Sequence, residues 1–101
     1  MIFIKIISHR GSNVSIYKPN TKEALLEALQ DDYIDGIEFD VRITKDKKIV
    51  IIHDLLINFI SNGKGIVKKM KLNKLLKYNF GTNKLKQKIC TLDELLKKIK
   101  S

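Results

Sequence analysis

Five residues, Thr44 to Lys48, separate two strand-like runs, and this spacing constrains the fold more than any other feature of the chain. The first run, Ile37-Glu38-Phe39-Asp40-Val41-Arg42-Ile43, alternates cleanly between apolar and charged residues. Ile37, Phe39, Val41 and Ile43 share one face of such a strand, and Glu38, Asp40 and Arg42 share the other. The second run is Ile49-Val50-Ile51-Ile52-His53. Parallel neighbours need a crossover of about a dozen residues or more, so the two runs are expected to pair as an antiparallel hairpin. A turn centred near Asp46 and Lys47 sets Asp40 opposite His53, with Glu38 one pleat away.

The rest of the chain alternates in kind. Ile2–Ser8 is a continuous β-branched and aromatic run, the pattern of a strand buried on both faces, and it leads into His9-Arg10-Gly11-Ser12. A polar loop to Thr21 precedes a helix over Lys22–Gln30, with Asn20 as its cap, Glu23 as the capping-box partner, and Ala24, Leu25, Ala28 and Leu29 as its apolar face. Asp31 to Gly36 connects this helix to the alternating strand. After Asp54 the pattern becomes irregular, with a turn signal at Asn62-Gly63-Lys64-Gly65. A second helix is expected over Leu72–Tyr78, with Leu72, Leu75 and Leu76 on one side. A third starts at Thr91 with Glu94 as capping partner and a stripe of Leu92, Leu95, Leu96 and Ile99. Strand, helix, hairpin, helix, helix is an α/β order.

At 101 residues, 44% hydrophobic and 31% charged, the chain reads as one globular domain. Its formal charge of +9 raises the question of a polyanion partner. Yet Arg10 and Arg42 are the only arginines among 20 basic residues, and planar recognition of phosphates and bases favours arginine. Lysines crowd the stretch from Lys64 to Lys100, where a solvated face is the simpler reading, so nucleic acid is not the expected partner. The single cysteine, Cys90, excludes an intrachain disulfide and fits a reducing compartment. No apolar run approaches the ~18 residues of a membrane span. The first residues form a short run interrupted by Lys5, which reads as a strand and not a signal peptide, so a cytoplasmic location is expected.

Polar reactive residues gather at strand ends: His9-Arg10 after the first, Glu38 and Asp40 on the second, His53-Asp54 after the third. Carboxylates among apolar strand residues are costly to bury unless paired or metal-bound. Two of them one pleat apart suit a hard divalent cation, Mg2+ or Ca2+. Two histidines can serve as general acid and base, and Arg10 can hold a phosphate bidentately. Each piece alone has a plainer reading: a loop histidine, a solvated strand face, an ordinary turn. Their joint order and spacing carry more than any one of them.

That order resembles the signature of the glycerophosphodiester phosphodiesterases. The matching pieces are His9-Arg10-Gly11, Asn20-Thr21, Gly36-Ile37-Glu38-Phe39-Asp40-Val41, Thr44-Lys45-Asp46 and Val50-Ile51-Ile52-His53-Asp54, continuing through Asn62-Gly63-Lys64-Gly65 and Thr91-Leu92-Asp93-Glu94-Leu95. The resemblance implies a partial TIM β/α barrel of the phospholipase-C-like phosphodiesterase type over residues 1–101. It also implies metal-dependent hydrolysis of a small-molecule glycerophosphodiester to an alcohol and glycerol 3-phosphate. Glu38 and Asp40 are then metal ligands, His9 and His53 the acid–base pair, and Arg10 a phosphate contact. The chain departs from the family pattern in three places. Lys18-Pro19-Asn20-Thr21 lacks a glutamate usual before the asparagine, Phe59 stands where an arginine is common, and Cys90 stands where a proline is usual.

A complete barrel takes about 250 residues, and the family's third metal carboxylate falls beyond Ser101. Residues 1–101 are therefore expected to have little activity alone, and to leave strand edges open to a complementary chain or to self-association. Two other functions fit the residues: a non-catalytic phosphate-binding remnant, and a basic nucleic-acid-binding module.

Overall fold

In the computed structural model the described residues are 7–9, 16–30 and 36–100, with side chains at 16–30 and 36–99. Ile7–His9 forms β1, Lys22–Leu29 forms α1, Gly36–Glu38 forms β2, Val41–Ile43 forms β3 and Ile49–Ile51 forms β4. A 3-10 turn at Val67–Lys69 and the short helix α2, Leu72–Leu75, follow. Cys90–Thr91 is β5 and Leu92–Lys100 is α3. Leu72, Leu75 and Leu76 pack inward as expected, although α2 stops at Leu75. The run before Ile7 and the connector over 31–35 lie outside the described residues.

β1 and β2 pair in parallel, with α1 between them in the chain and packed on β2. This is the βαβ unit from which barrel walls are built. The helix cap falls one residue later than the sequence suggests. Thr21, not Asn20, caps α1, its hydroxyl accepting from the Ala24 amide at 3.3 Å. Asn20 instead takes a left-handed backbone, φ 63°, and turns its amide elsewhere. The cap of α3 is as expected, with the Glu94 amide donating to the Thr91 hydroxyl at 3.1 Å.

The alternating run over 37–43 is two strands rather than one. Gly36–Glu38 pairs with β1, and Val41–Ile43 leaves that sheet to pair with β4. Phe39 and Ile37 still pack with Leu25 and Leu95, so alternation holds up to the break. Beyond it Val41 and Ile43 are about half exposed, because the hairpin has left the layer that α1 and α3 cover.

The hairpin itself forms as expected, pairing Val41 with Ile51, Arg42 with Val50 and Ile43 with Ile49. Its register differs by one residue. The Lys47 amide donates to the Thr44 carbonyl at 3.0 Å, and the Thr44 amide donates to the Lys48 carbonyl at 2.9 Å. Lys47 takes a left-handed backbone, φ 65°. This three-residue loop is centred on Asp46 alone, so Asp40 pairs with Ile52, whose amide donates to the Asp40 carbonyl at 2.9 Å.

β5 has no signal in the sequence: two residues add to β4, pairing Cys90 with Ile51 and Thr91 with Val50. β4 then divides two cores. Ile51 joins Leu25, Cys90 and Leu95 under the helices. Val50 and Ile52, pointing the other way, join Ile57, Val67, Met70, Leu75, Phe80 and Ile89 of the arm that runs from Asp54 to Ile89.

Candidate active site

Three strand ends meet in the region where the polar residues lie. The β1–β2 register sets His9 beside Glu38 along the backbone. Two residues on, Asp40 pairs with Ile52, and His53 is the next residue after Ile52. The backbone positions of His9, Glu38, Asp40 and His53 thus occupy one stretch of two adjoining ladders. Glu38 is exposed and Asp40 partly buried. Arg10 lies outside the described residues.

Asp40 and His53 do not meet as a cross-strand pair, because the register is one residue from the expected one. Each has a different partner. His53 Nδ1 lies 3.2 Å from Asp54 Oδ1, and the Arg42 guanidinium Nε donates to the His53 carbonyl at 2.7 Å. The Asn20 side-chain amide donates to Asp40 Oδ2 at 3.1 Å, and Asn20 Oδ1 accepts from the Asp40 backbone amide at 3.4 Å. The sequence places Asn20 as a helix cap, and its contact with Asp40, twenty residues away, has no local pattern. An Asn directly after Pro19 is the available signal, since asparagine tolerates the left-handed conformation better than most side chains.

A cavity of about 180 Å3 adjoins His53 and Asn20, with Ile60, Phe80 and Ile89 among its lining residues and Lys18 and Lys88 also on it. Gln87, on the arm, is buried and accepts from the Lys18 backbone amide at 3.2 Å while donating to Glu23 Oε1 at 2.7 Å. It ties the arm to the turn that carries Asn20. Among the described residues, no group of three or more His, Cys, Asp or Glu side chains gathers as a metal-binding set. Glu38 and Asp40 supply two oxygen donors of the type a hard cation takes.

Burial holds the Cys90 thiol well above its ordinary range, up to about 12, so at neutral pH it is a packed apolar group and not a nucleophile. The lysines at 64–88 are all exposed, as a solvated face requires. No helix among the described residues is long and apolar enough to cross a membrane.

A parallel βαβ unit with its polar residues at the C-terminal strand ends is the layout of a β/α-barrel wall. The chain belongs to the glycerophosphoryl diester phosphodiesterase family, whose model matches residues 9–101. It is 34% identical over 98 residues to the glycerophosphodiester phosphodiesterase of Caldanaerobacter subterraneus, covering 93% of this chain and 40% of that protein. The crystal structure of glycerophosphodiester phosphodiesterase from Agrobacterium tumefaciens superposes with a TM-score of 0.86 at 33% identity, covering 98% of this chain and 43% of that one. A phosphodiesterase from Oleispira antarctica, solved in complex with the product sn-glycerol-3-phosphate, gives a TM-score of 0.82 at 29% identity, covering 96% and 40%. The fold is that of a partial TIM barrel, and the chain spans about two-fifths of the length of the relatives it matches.

Proposed function

We propose that this chain carries part of the active site of a metal-dependent hydrolase that cleaves glycerophosphodiesters to an alcohol and glycerol 3-phosphate. The observation that supports this best is the pairing register. It puts His9 beside Glu38, and sets Asp40 one residue from the position opposite His53, in a chain of this family. In this reading Glu38 and Asp40 hold a divalent cation, Mg2+ or Ca2+. That cation supplies Lewis-acid polarisation of the phosphoryl oxygens. Arg10 holds a non-bridging phosphate oxygen through its guanidinium.

His9 and His53 move the protons. One imidazole takes the proton of the attacking water as the new P–O bond forms. The other donates a proton to the alcohol oxygen as its bond to phosphorus breaks. With its proton on Nδ1, His53 donates to Asp54 and keeps Nε2 available as the base. The cavity beside His53 is a place for the alcohol group of the substrate. A cytoplasmic setting belongs to the same reading, where the single buried Cys90 stays reduced.

Metal-dependent thermal stabilisation tests the site. Mg2+ or Ca2+ should raise the melting temperature of the chain, and Glu38→Ala and Asp40→Ala should each abolish the rise. A rise that survives both substitutions would remove the cation from these residues. Residues 1–101 alone are expected to turn over glycerophosphocholine at a negligible rate, because no group of three or more His, Cys, Asp or Glu side chains gathers among the described residues to hold a cation firmly. Turnover sensitive to EDTA would show that this stretch suffices.

A further inference from the structure

We infer that Asn20 is a positioning residue that fixes the orientation of the Asp40 carboxylate toward a cation; this rests on the reading of Asp40 as a ligand. The side-chain amide of Asn20 grips Asp40 at two points, donating to Oδ2 at 3.1 Å and accepting from the backbone amide at 3.4 Å. A carboxylate tied to the same side chain as its own backbone loses freedom about both side-chain torsions. Asp40 also sits at the break between β2 and β3, where its carbonyl accepts from the Ile52 amide at 2.9 Å and its own amide is held by Asn20 at 3.4 Å.

The mount of Asn20 is itself fixed. Thr21 donates its hydroxyl to the Lys18 carbonyl at 2.6 Å while capping α1, and the Lys18 amide donates to buried Gln87. Between these anchors Asn20 holds a left-handed backbone, φ 63°, which glycine would adopt at lower cost. An amide side chain kept at a position suited to glycine is explained by what that amide does. Its neutrality matters as well. A lysine or arginine donor would orient the carboxylate but repel a divalent cation, whereas an amide orients it without adding a positive charge. Partners that orient ligands in this way typically change metal affinity 10- to 100-fold when removed.

The experiment is a titration of the chain with Mn2+, followed by water proton relaxation, for wild type, Asp40→Ala, Asn20→Gly and Thr21→Ala. Asn20→Gly keeps the backbone conformation and removes only the amide. Thr21→Ala weakens the same turn without touching Asp40. The expected result is Mn2+ binding lost in Asp40→Ala, weakened about tenfold in Asn20→Gly, and unchanged in Thr21→Ala. If binding is lost in Asp40→Ala but Asn20→Gly binds as wild type, Asn20 does not position Asp40 and the inference fails while the ligand reading stands. A loss in Thr21→Ala equal to that in Asn20→Gly assigns the effect to turn stability and overturns the inference. If Mn2+ does not bind, or binds equally to Asp40→Ala, the ligand reading fails and the inference fails with it.

Discussion

The two sides of β4 are stabilised by different means. On one side, α1, α3 and β2 close around Leu25, Ile51, Cys90 and Leu95, and backbone polar groups are satisfied by helix and ladder. On the other, the arm from Asp54 to Ile89 encloses a larger apolar cluster with little regular structure, a 3-10 turn and one turn of helix. Its backbone is satisfied by scattered turn bonds, by one antiparallel bridge between Leu56 and Ile66, and by side chains. The Asn58 and Asn62 carbonyl oxygens accept from the amides of Gly65 and Asn79, and Asn79 Oδ1 accepts from both Gly81 and Gln87. Buried amides need partners of some kind, and in the arm short polar side chains supplement isolated backbone bonds where a continuous ladder is missing. The lesson is that an apolar core can be enclosed with little periodic structure when isolated turn bonds and well-placed asparagine and serine side chains together close the backbone's hydrogen bonds.

The largest effects should come from the cores themselves. Leu25→Ala on the helical side and Leu75→Ala in the arm, both fully buried, should each cost roughly 2–5 kcal/mol in urea unfolding. Hydrogen exchange then sharpens the comparison: Leu75→Ala should speed exchange in the arm first, and Leu25→Ala in α1 and α3. Uniform acceleration from either one would mean a single cooperative unit and would abolish the distinction.

Gln87→Ala comes next. It strips a hydrogen bond from the Lys18 amide and another from Glu23, and should cost about 1–3 kcal/mol, read as a lowered urea midpoint. If the arm is held only by its apolar cluster, the midpoint will not move. Lys47→Gly should act in the opposite direction, raising stability by roughly 1 kcal/mol, because Lys47 bears a left-handed backbone in the hairpin loop. An unchanged or lower melting temperature would show that the loop relaxes without strain.

The smallest effect concerns pH. The Thr44 hydroxyl, donating to Asp46 at 2.6 Å, lowers the Asp46 carboxyl below its ordinary value of 3.8, with help from the Leu72 amide at the start of α2. A lowered folded-state value means stability that is present above 3.8 and lost as pH falls through the folded value. Asp46→Asn should flatten that acid limb of the urea midpoint against pH. A limb of the same steepness in the variant would assign it to other carboxylates.

How much of this was legible in the sequence follows the same division. The hairpin was legible because a five-residue link excludes a crossover, and the inward faces of α1 and α2 because helical spacing repeats, although Leu29 of α1 and Leu96 and Ile99 of the α3 stripe are exposed. The register was not, since it depends on Lys47 taking a conformation that the sequence does not advertise with a glycine. Nor was the break after Glu38, because alternation continues through Ile43 while the chain changes sheets. Of the site, the strand-end residues are legible through motif and resemblance. The cap is not, because Asn20 and Thr21 stand side by side before the helix and either residue type can serve. The two-residue β5 carries no periodic signal at all.

Because neighbouring residues of β4 belong to different interiors, that strand cannot slide along its partners by a single step. Such a shift would eject Ile51 from one interior and Val50 and Ile52 from the other in the same movement. The spacing between Asp40 and His53 is therefore clamped by methyl groups on either flank of β4. Conservative changes of volume at Val50 or Ile52 would retune that spacing without altering one polar atom.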